Sequence, residues 1–178
     1  QGMPCCLSKE QEASISLKIA IIEAWRKELV ERRKSAKAAQ QAARSGTRVD
    51  GSHRPANRGE RGAVTAQGYL ALGLGQRASE LTENLRLIEE MGTDPRETLV
   101  VGAVGRVHID GSAPKVVAIV PGGDATWLDV DLGSGLERVQ YLSAASPLIH
   151  QLSGCGTGDS EEVELGGKVL EVRIIECL

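Results

Sequence analysis

Two stretches of seven-residue hydrophobic recurrence, separated by a glycine- and arginine-rich break, organise the first half of the chain. Ile15, Ile22, Leu29, Ala36 and Ala43 recur every seven residues, with Trp25 and Ala39 among the alternate seam positions and Lys18 and Arg32 interrupting them. After the break, Val64, Ala71, Ala78 and Leu85 repeat in the same way, interleaved with Leu74, Leu81 and Ile88. This spacing gathers apolar side chains along one face of a helix and predicts two helices packed as an antiparallel coiled-coil pair. Ser8 followed by Gln11 matches a capping box, which starts the first helix and carries it to Arg44. The return helix is expected to begin near Glu60 and to stop at Met91-Gly92, where glycine suits a C-cap and Pro95 forbids continuation. Seam residues shrink from Ile and Leu to Ala toward the break, so the pair tapers toward a tip at 45–60. Gly68, Gly73 and Gly75 each cost about 1 kcal/mol relative to Ala inside a helix, so packing must hold the tip-proximal half of the return helix.

Beyond Pro95 the period changes. Leu99 to Ile109, Lys115 to Val120 and Leu136 to Leu142 are rich in Val, Ile and Leu and are punctuated by Gly111-Ser112 and Gly122-Gly123. They predict short antiparallel strands. Ser146 as a cap with Pro147 at the first position marks a short helix to Leu152. Ser160 to Leu165 and Lys168 to Ile175, joined by Gly166-Gly167, read as a terminal two-residue hairpin. The fold class is α+β: a long helical hairpin over 1–94 and a second domain over 95–178 with a strongly bent antiparallel sheet and one short helix.

Composition supports this division. Phe is absent and aromatics make up only 2% of the chain, which would leave a single large core without its usual bulky filler but suits a helical arm. Residues 1–98 carry 16 Lys and Arg against 13 Asp and Glu, whereas 99–178 carry 5 against 11. The arm is mildly basic and the second domain acidic, and neither has the dense positive patch of a protein that grips nucleic acid by itself. No apolar run approaches the length needed to span a bilayer, so the protein is expected to be cytoplasmic, with no membrane partner. Cys5, Cys6, Cys155 and Cys177 form no Cys-x-x-Cys pair and are expected to be free thiols.

A long helical hairpin followed by a small β-domain containing Ala145-Ser146-Pro147-Leu148-Ile149, then Gly158-Asp159 and a terminal Gly-Gly-Lys-Val-Leu-Glu-Val hairpin, resembles the GreA/GreB family of bacterial transcription elongation factors. The stretch from Arg54 to Arg61, followed by Gly68-Tyr69-Leu70-Ala71, resembles a divergent branch of it. The resemblance implies an FKBP-like second domain that docks on RNA polymerase at the rim of the secondary channel, through Ser146, Pro147 and Leu148. It also implies a hairpin whose tip reaches the active centre, where acidic side chains help hold a Mg²⁺ shared with the polymerase. Such a protein acts as a factor on another enzyme's active site, works as a monomer, and meets nascent RNA or DNA only inside the transcription complex.

The tip departs from the family's paired acids. Residues 44–61 contain Arg44, Arg48, Arg54, Arg58 and Arg61 against Asp50 and Glu60. Glu60 aligns with the family's tip Glu and is the candidate catalytic acid. The companion Asp position falls near Asn57, an amide that offers one neutral oxygen and no charge. Asp50 and Glu60 are the candidate metal ligands, and a first-turn acid favoured by the helix macrodipole is an equal reading of Glu60. Arg48, Arg54, Asn57, Arg58 and Arg61 are candidate tip contacts, since guanidinium pairs bidentately with carboxylate and phosphate. Two functional readings stay open, stimulation of cleavage of backtracked RNA and a non-cleaving regulator or inhibitor in the secondary channel. A coiled-coil adaptor and an FKBP-like chaperone are readings of another class. The chaperone needs a pocket lined by several aromatics, and the second domain offers only Trp127 and Tyr141.

Overall fold

The computed structural model describes the backbone of residues 9–47, 58–133 and 135–178, and the side chains of 13–45, 61–133 and 135–178. The Ser8–Gln11 capping box lies outside them. The elements run α1 (Lys9–Thr47), α2 (Arg58–Glu90), β1 (Val104–Ile109), β2 (Lys115–Ile119), β3 (Asp124–Asp131), β4 (Leu136–Leu142), α3 (Pro147–Leu152), β5 (Ser160–Leu165) and β6 (Lys168–Cys177). They form two compact units, Lys27–Arg86 and Gln1–Arg26 with Leu87–Leu178.

Within Lys27–Arg86 the helices pair antiparallel along the expected seam. Leu29, Ala36 and Ala43 of α1 and Ala71, Ala78, Leu81 and Leu85 of α2 are buried. Ala39 departs from the seam and is exposed. Its neighbour Gln40 turns inward instead, and its Nε2 donates to the Ala71 carbonyl at 3.3 Å. Gly75 makes that possible, because a Cβ there would overlap the Gln40 amide nitrogen. A residue that weakens the isolated helix therefore makes room for a polar cross-link between the two. The solvated faces carry pairs one turn apart, Arg32–Glu28 at 2.7 Å and Arg86–Glu83 at 2.6 Å among them, which water screens, so that they contribute little to stability. Both helices run further than expected: α1 continues three residues past Arg44, and α2 opens at Arg58 rather than near Glu60.

In the other unit a six-stranded sheet runs in the order β3-β4-β2-β1-β6-β5. Most neighbours are antiparallel, as expected, but β2 and β4 are parallel, with Val116 opposite Val139 and Ile119 opposite Leu142. The cause is β3, an additional strand that pairs antiparallel with the outer side of β4 and so reverses the chain between β2 and β4. Strand β1 begins five residues after Leu99, because Leu99–Ala103 is irregular backbone holding Gly102 at φ +89. The terminal hairpin forms as its Gly-Gly signal predicts: Leu165 faces Lys168, and Gly166 and Gly167 take φ values of +61 and +79, the left-handed pair of a tight two-residue turn.

The sheet is covered on both faces around β2, which explains why Val116–Ile119 are all buried. On one side Val117 and Ile119 join Leu99, Val107, Ile149, Leu152, Val163, Val172 and Ile174 in a single apolar cluster beneath α3. On the other, the beginning of α1 contributes Ile21 and Trp25, both fully buried. Trp25 stacks on Tyr141 of β4, ring centroids 4.8 Å apart and planes 13° from parallel. Its Nε1 donates to the Pro121 carbonyl at 3.1 Å, and the Tyr141 hydroxyl donates to the Ile21 carbonyl at 2.8 Å. Two of the chain's four aromatic side chains thus meet at one point and close that layer.

Candidate functional site

The tip residues divide by where the described structure ends. Arg48, Asp50, His53, Arg54 and Asn57 lie outside the described residues, and so do the side chains of Arg58 and Glu60. The backbone places Arg58 at the first residue of α2 and Glu60 at the third, so Glu60 stands in the first turn, where unpaired amides favour a carboxylate. Arg61 is exposed. Among the described residues no group of three or more His, Cys, Asp and Glu side chains is arranged to hold a metal ion.

The Ser146–Leu148 segment is built as its sequence predicts. Ser146 caps α3 from an extended conformation, φ −64 and ψ 142, and its Oγ accepts from the Ile149 amide at 3.4 Å. Pro147 takes the first helical position, where a missing amide costs nothing, and its ring is exposed. Leu148 is half-buried against the apolar cluster, while Ile149 and Leu152 are anchored within it. Gln151 fixes the far end. Its amide nitrogen donates to the Glu164 carbonyl at 3.0 Å and its oxygen accepts from the Glu164 amide at 2.9 Å, as a neighbouring strand would. The segment therefore presents Ser146 and Pro147 from a short helix held at both ends, a rigid surface feature.

A third cluster was not legible in the sequence. Lys18, which reads as an interruption of the apolar seam, is 1% exposed and donates from Nζ to the Asp94 carbonyl. Burial holds its amine below the ordinary value, and the Arg96 charge adds to this, while Cys177 and Asp94 act the other way. Arg96 is a partner in discomfort: its Nε is buried without a hydrogen-bond acceptor among the described residues. Burial raises the Cys177 thiol, with Lys18 opposing, and burial together with Glu161 and Asp159 raises Cys155. Both cysteines are free thiols held in their less reactive, protonated form.

The two aromatics that would have to line a chaperone pocket are otherwise engaged. Tyr141 is in the core under Trp25, and burial pushes its phenol well above the ordinary range. Trp127 lies under the Arg138 guanidinium, 5.5 Å from the ring centroid. His108 stands in β1 and His150 is exposed on α3. No helix among the described residues is long and apolar enough to cross a membrane.

No protein-family profile matches the chain, and no curated protein sequence matches it. Among solved structures, the chain is similar to the GreA factor homolog 1 (Gfh1) protein of Thermus thermophilus, at 16% identity and a TM-score of 0.33 over 88% of this chain and 94% of that one. A structure of the transcription factor Gfh1 is similar at 18% identity and a TM-score of 0.35, covering 89% and 93% of the two chains. Gfh1 of Thermus aquaticus is similar at 18% identity and a TM-score of 0.35, covering 87% and 92%.

Proposed function

We propose that the chain is a Gre-like transcription elongation factor that docks on bacterial RNA polymerase at the secondary channel and brings its tip to the active centre. The observation that carries this reading is the order of parts. An antiparallel helical pair precedes a small sheet domain whose one short helix is capped by Ser146 and opens with Pro147 and Leu148, the segment on which the sequence resemblance is most specific. In this role Ser146, Pro147 and Leu148 dock on the polymerase, the protein works as a cytoplasmic monomer, and it acts on the polymerase's active site rather than as an enzyme itself.

Tip composition favours regulation without cleavage. Five arginines against Asp50 and Glu60 over residues 44–61 give the segment a net positive charge, and Asn57 falls near the position where the resemblance expects a second acid to help hold Mg²⁺. Any ion bound there takes its remaining oxygen ligands from the polymerase. Incubating backtracked elongation complexes with the protein and Mg²⁺ tests both parts. Slowed nucleotide addition without shortened RNA is the expected result. Shortened RNA that disappears with Glu60→Ala, at unchanged polymerase binding, would instead establish cleavage stimulation, and failure to bind polymerase would sink the whole reading.

A further inference from the structure

An open groove of about 580 Å³ lies between the end of α2 and the turn that follows β2, lined by Leu87, Met91, Arg96, Val101, Val120 and Pro121, with Glu90 and Ser143 also on its walls. Its volume falls inside the range of about 300–1,000 Å³ typical of small-molecule sites, and its makeup, mostly aliphatic with a few polar groups, is also theirs. Leu87 and Val101 leave 37% and 41% of their surface in water, apolar area that a ligand would cover. Gly102, at φ +89, lets Met91 and Arg96 lie side by side: a Cβ there would sit 3.0 Å from Met91 Cγ and 3.8 Å from Arg96 Nε.

We propose that this groove binds a small aliphatic carboxylate, with its head group on the Arg96 guanidinium and its chain over Met91, Val101, Val120 and Pro121. Charge chooses the head group. Arg96 is half-buried, with its Nε buried and without an acceptor among the described residues, and its near neighbour Lys18 is a buried cation that donates to the neutral Asp94 carbonyl. An anion on Arg96 adds negative charge beside these two cations through the strong, planar pairing that guanidinium makes with carboxylate. No aromatic side chain lines the groove, so the body that fits it is aliphatic rather than one that needs stacking. This chemistry is independent of any action on RNA polymerase.

Methionine methyl resonances give the test, because the chain has two methionines and Met91 lines the groove, its signal assigned by its loss in Met91→Leu. Protein labelled with ¹³C at the methionine methyls is titrated with decanoate, with decanol and acetate as single-feature controls. The expected result is a saturable Met91 shift with decanoate, affinity at least tenfold weaker for decanol, and no shift with acetate. Arg96→Met should weaken decanoate binding at least tenfold, with Arg96→Lys intermediate. Absence of a saturable Met91 shift, or equal affinities for decanoate and decanol, would overturn the proposal. So would equal decanoate binding by folded Arg96→Met; if that variant does not fold, the native comparison of the three ligands decides alone.

Discussion

Replacing Tyr141 with Phe isolates one bond in the layer between α1 and the sheet. The ring remains, so the stack on Trp25, 4.8 Å and 13°, is kept along with its contribution of about 0.5–1.5 kcal/mol. What goes is the hydroxyl bond to the Ile21 carbonyl, 2.8 Å long and inaccessible to water. That carbonyl lies inside a helix and already receives an amide four residues on, so the substitution orphans no acceptor. The expected cost is therefore the net value of one buried hydrogen bond, about 1 kcal/mol, rather than the penalty of about 1–3 kcal/mol for an abandoned polar group. Urea unfolding followed by tryptophan fluorescence measures it cleanly, because Trp25 and Trp127 both belong to the unit that contains Tyr141. A pH series supplies a second reading with a defined sign. The folded phenol titrates above its ordinary value of 10.0, so the folded state retains a proton that the unfolded state loses. The native protein's stability from this group is complete below pH 10 and falls as pH rises above it, whereas Tyr141→Phe has no such fall. A variant as stable as the native protein at neutral pH, or one with the same decline above pH 10, would refute the account of this layer.

Lys18→Met should raise stability at neutral pH, because it removes a desolvated cation and leaves an acceptor at the exposed Asp94, which water can reach. Since the folded amine titrates below 10.5, its penalty is full under that lowered value and is relieved as pH rises toward 10.5. The gain over the native protein should accordingly shrink across that window in parallel urea melts, and a pH-independent or negative difference would count against it. Two glycines give opposite outcomes in thermal melts. Gly73→Ala meets open space in a helix and should stabilise α2 by about 1 kcal/mol, while Gly123→Ala would overlap the Leu142 backbone and should destabilise the sheet by several times that.

Local signals in the sequence carried well where one element explains itself. The seam of Leu29, Ala36, Ala43, Ala78 and Leu85, the Ser146-Pro147 start of α3 and the Gly166-Gly167 turn each follow from residues close together in the chain. Strand β3 escaped although Leu128-Asp129-Val130-Asp131-Leu132 alternates apolar and polar residues at the strand period, because the run is short and the strand's three aspartates give it the composition of a loop. The parallel β2–β4 pairing is a consequence of β3 and was lost with it. Trp25 and Tyr141 are 116 positions apart, and nothing local announces that they touch. Lys18 misled for a physical reason: a lysine in an apolar seam normally marks a gap, and this one is buried under a carbonyl contributed by Asp94 from beyond the return helix. Of the candidate site, the short helix α3 was legible to the residue, from its Ser146 cap and Pro147 start to Leu152. The tip was legible only as charge composition, since the geometry of 48–57 lies outside the described residues.

An open sheet has two free sides along which copies of a protein can polymerise, and here each side is spoiled by a local device. On β5 the Gln151 amide occupies the backbone groups of Glu164, and Glu161 and Glu162 place like charges along the remaining edge. On β3 the register slips between Asp124 and Thr126 around Ala125, whose φ of +66 bends the strand end out of line. A chain poor in bulky core residues is thus kept from the commonest hazard of small β-rich domains, fibrous association at high concentration.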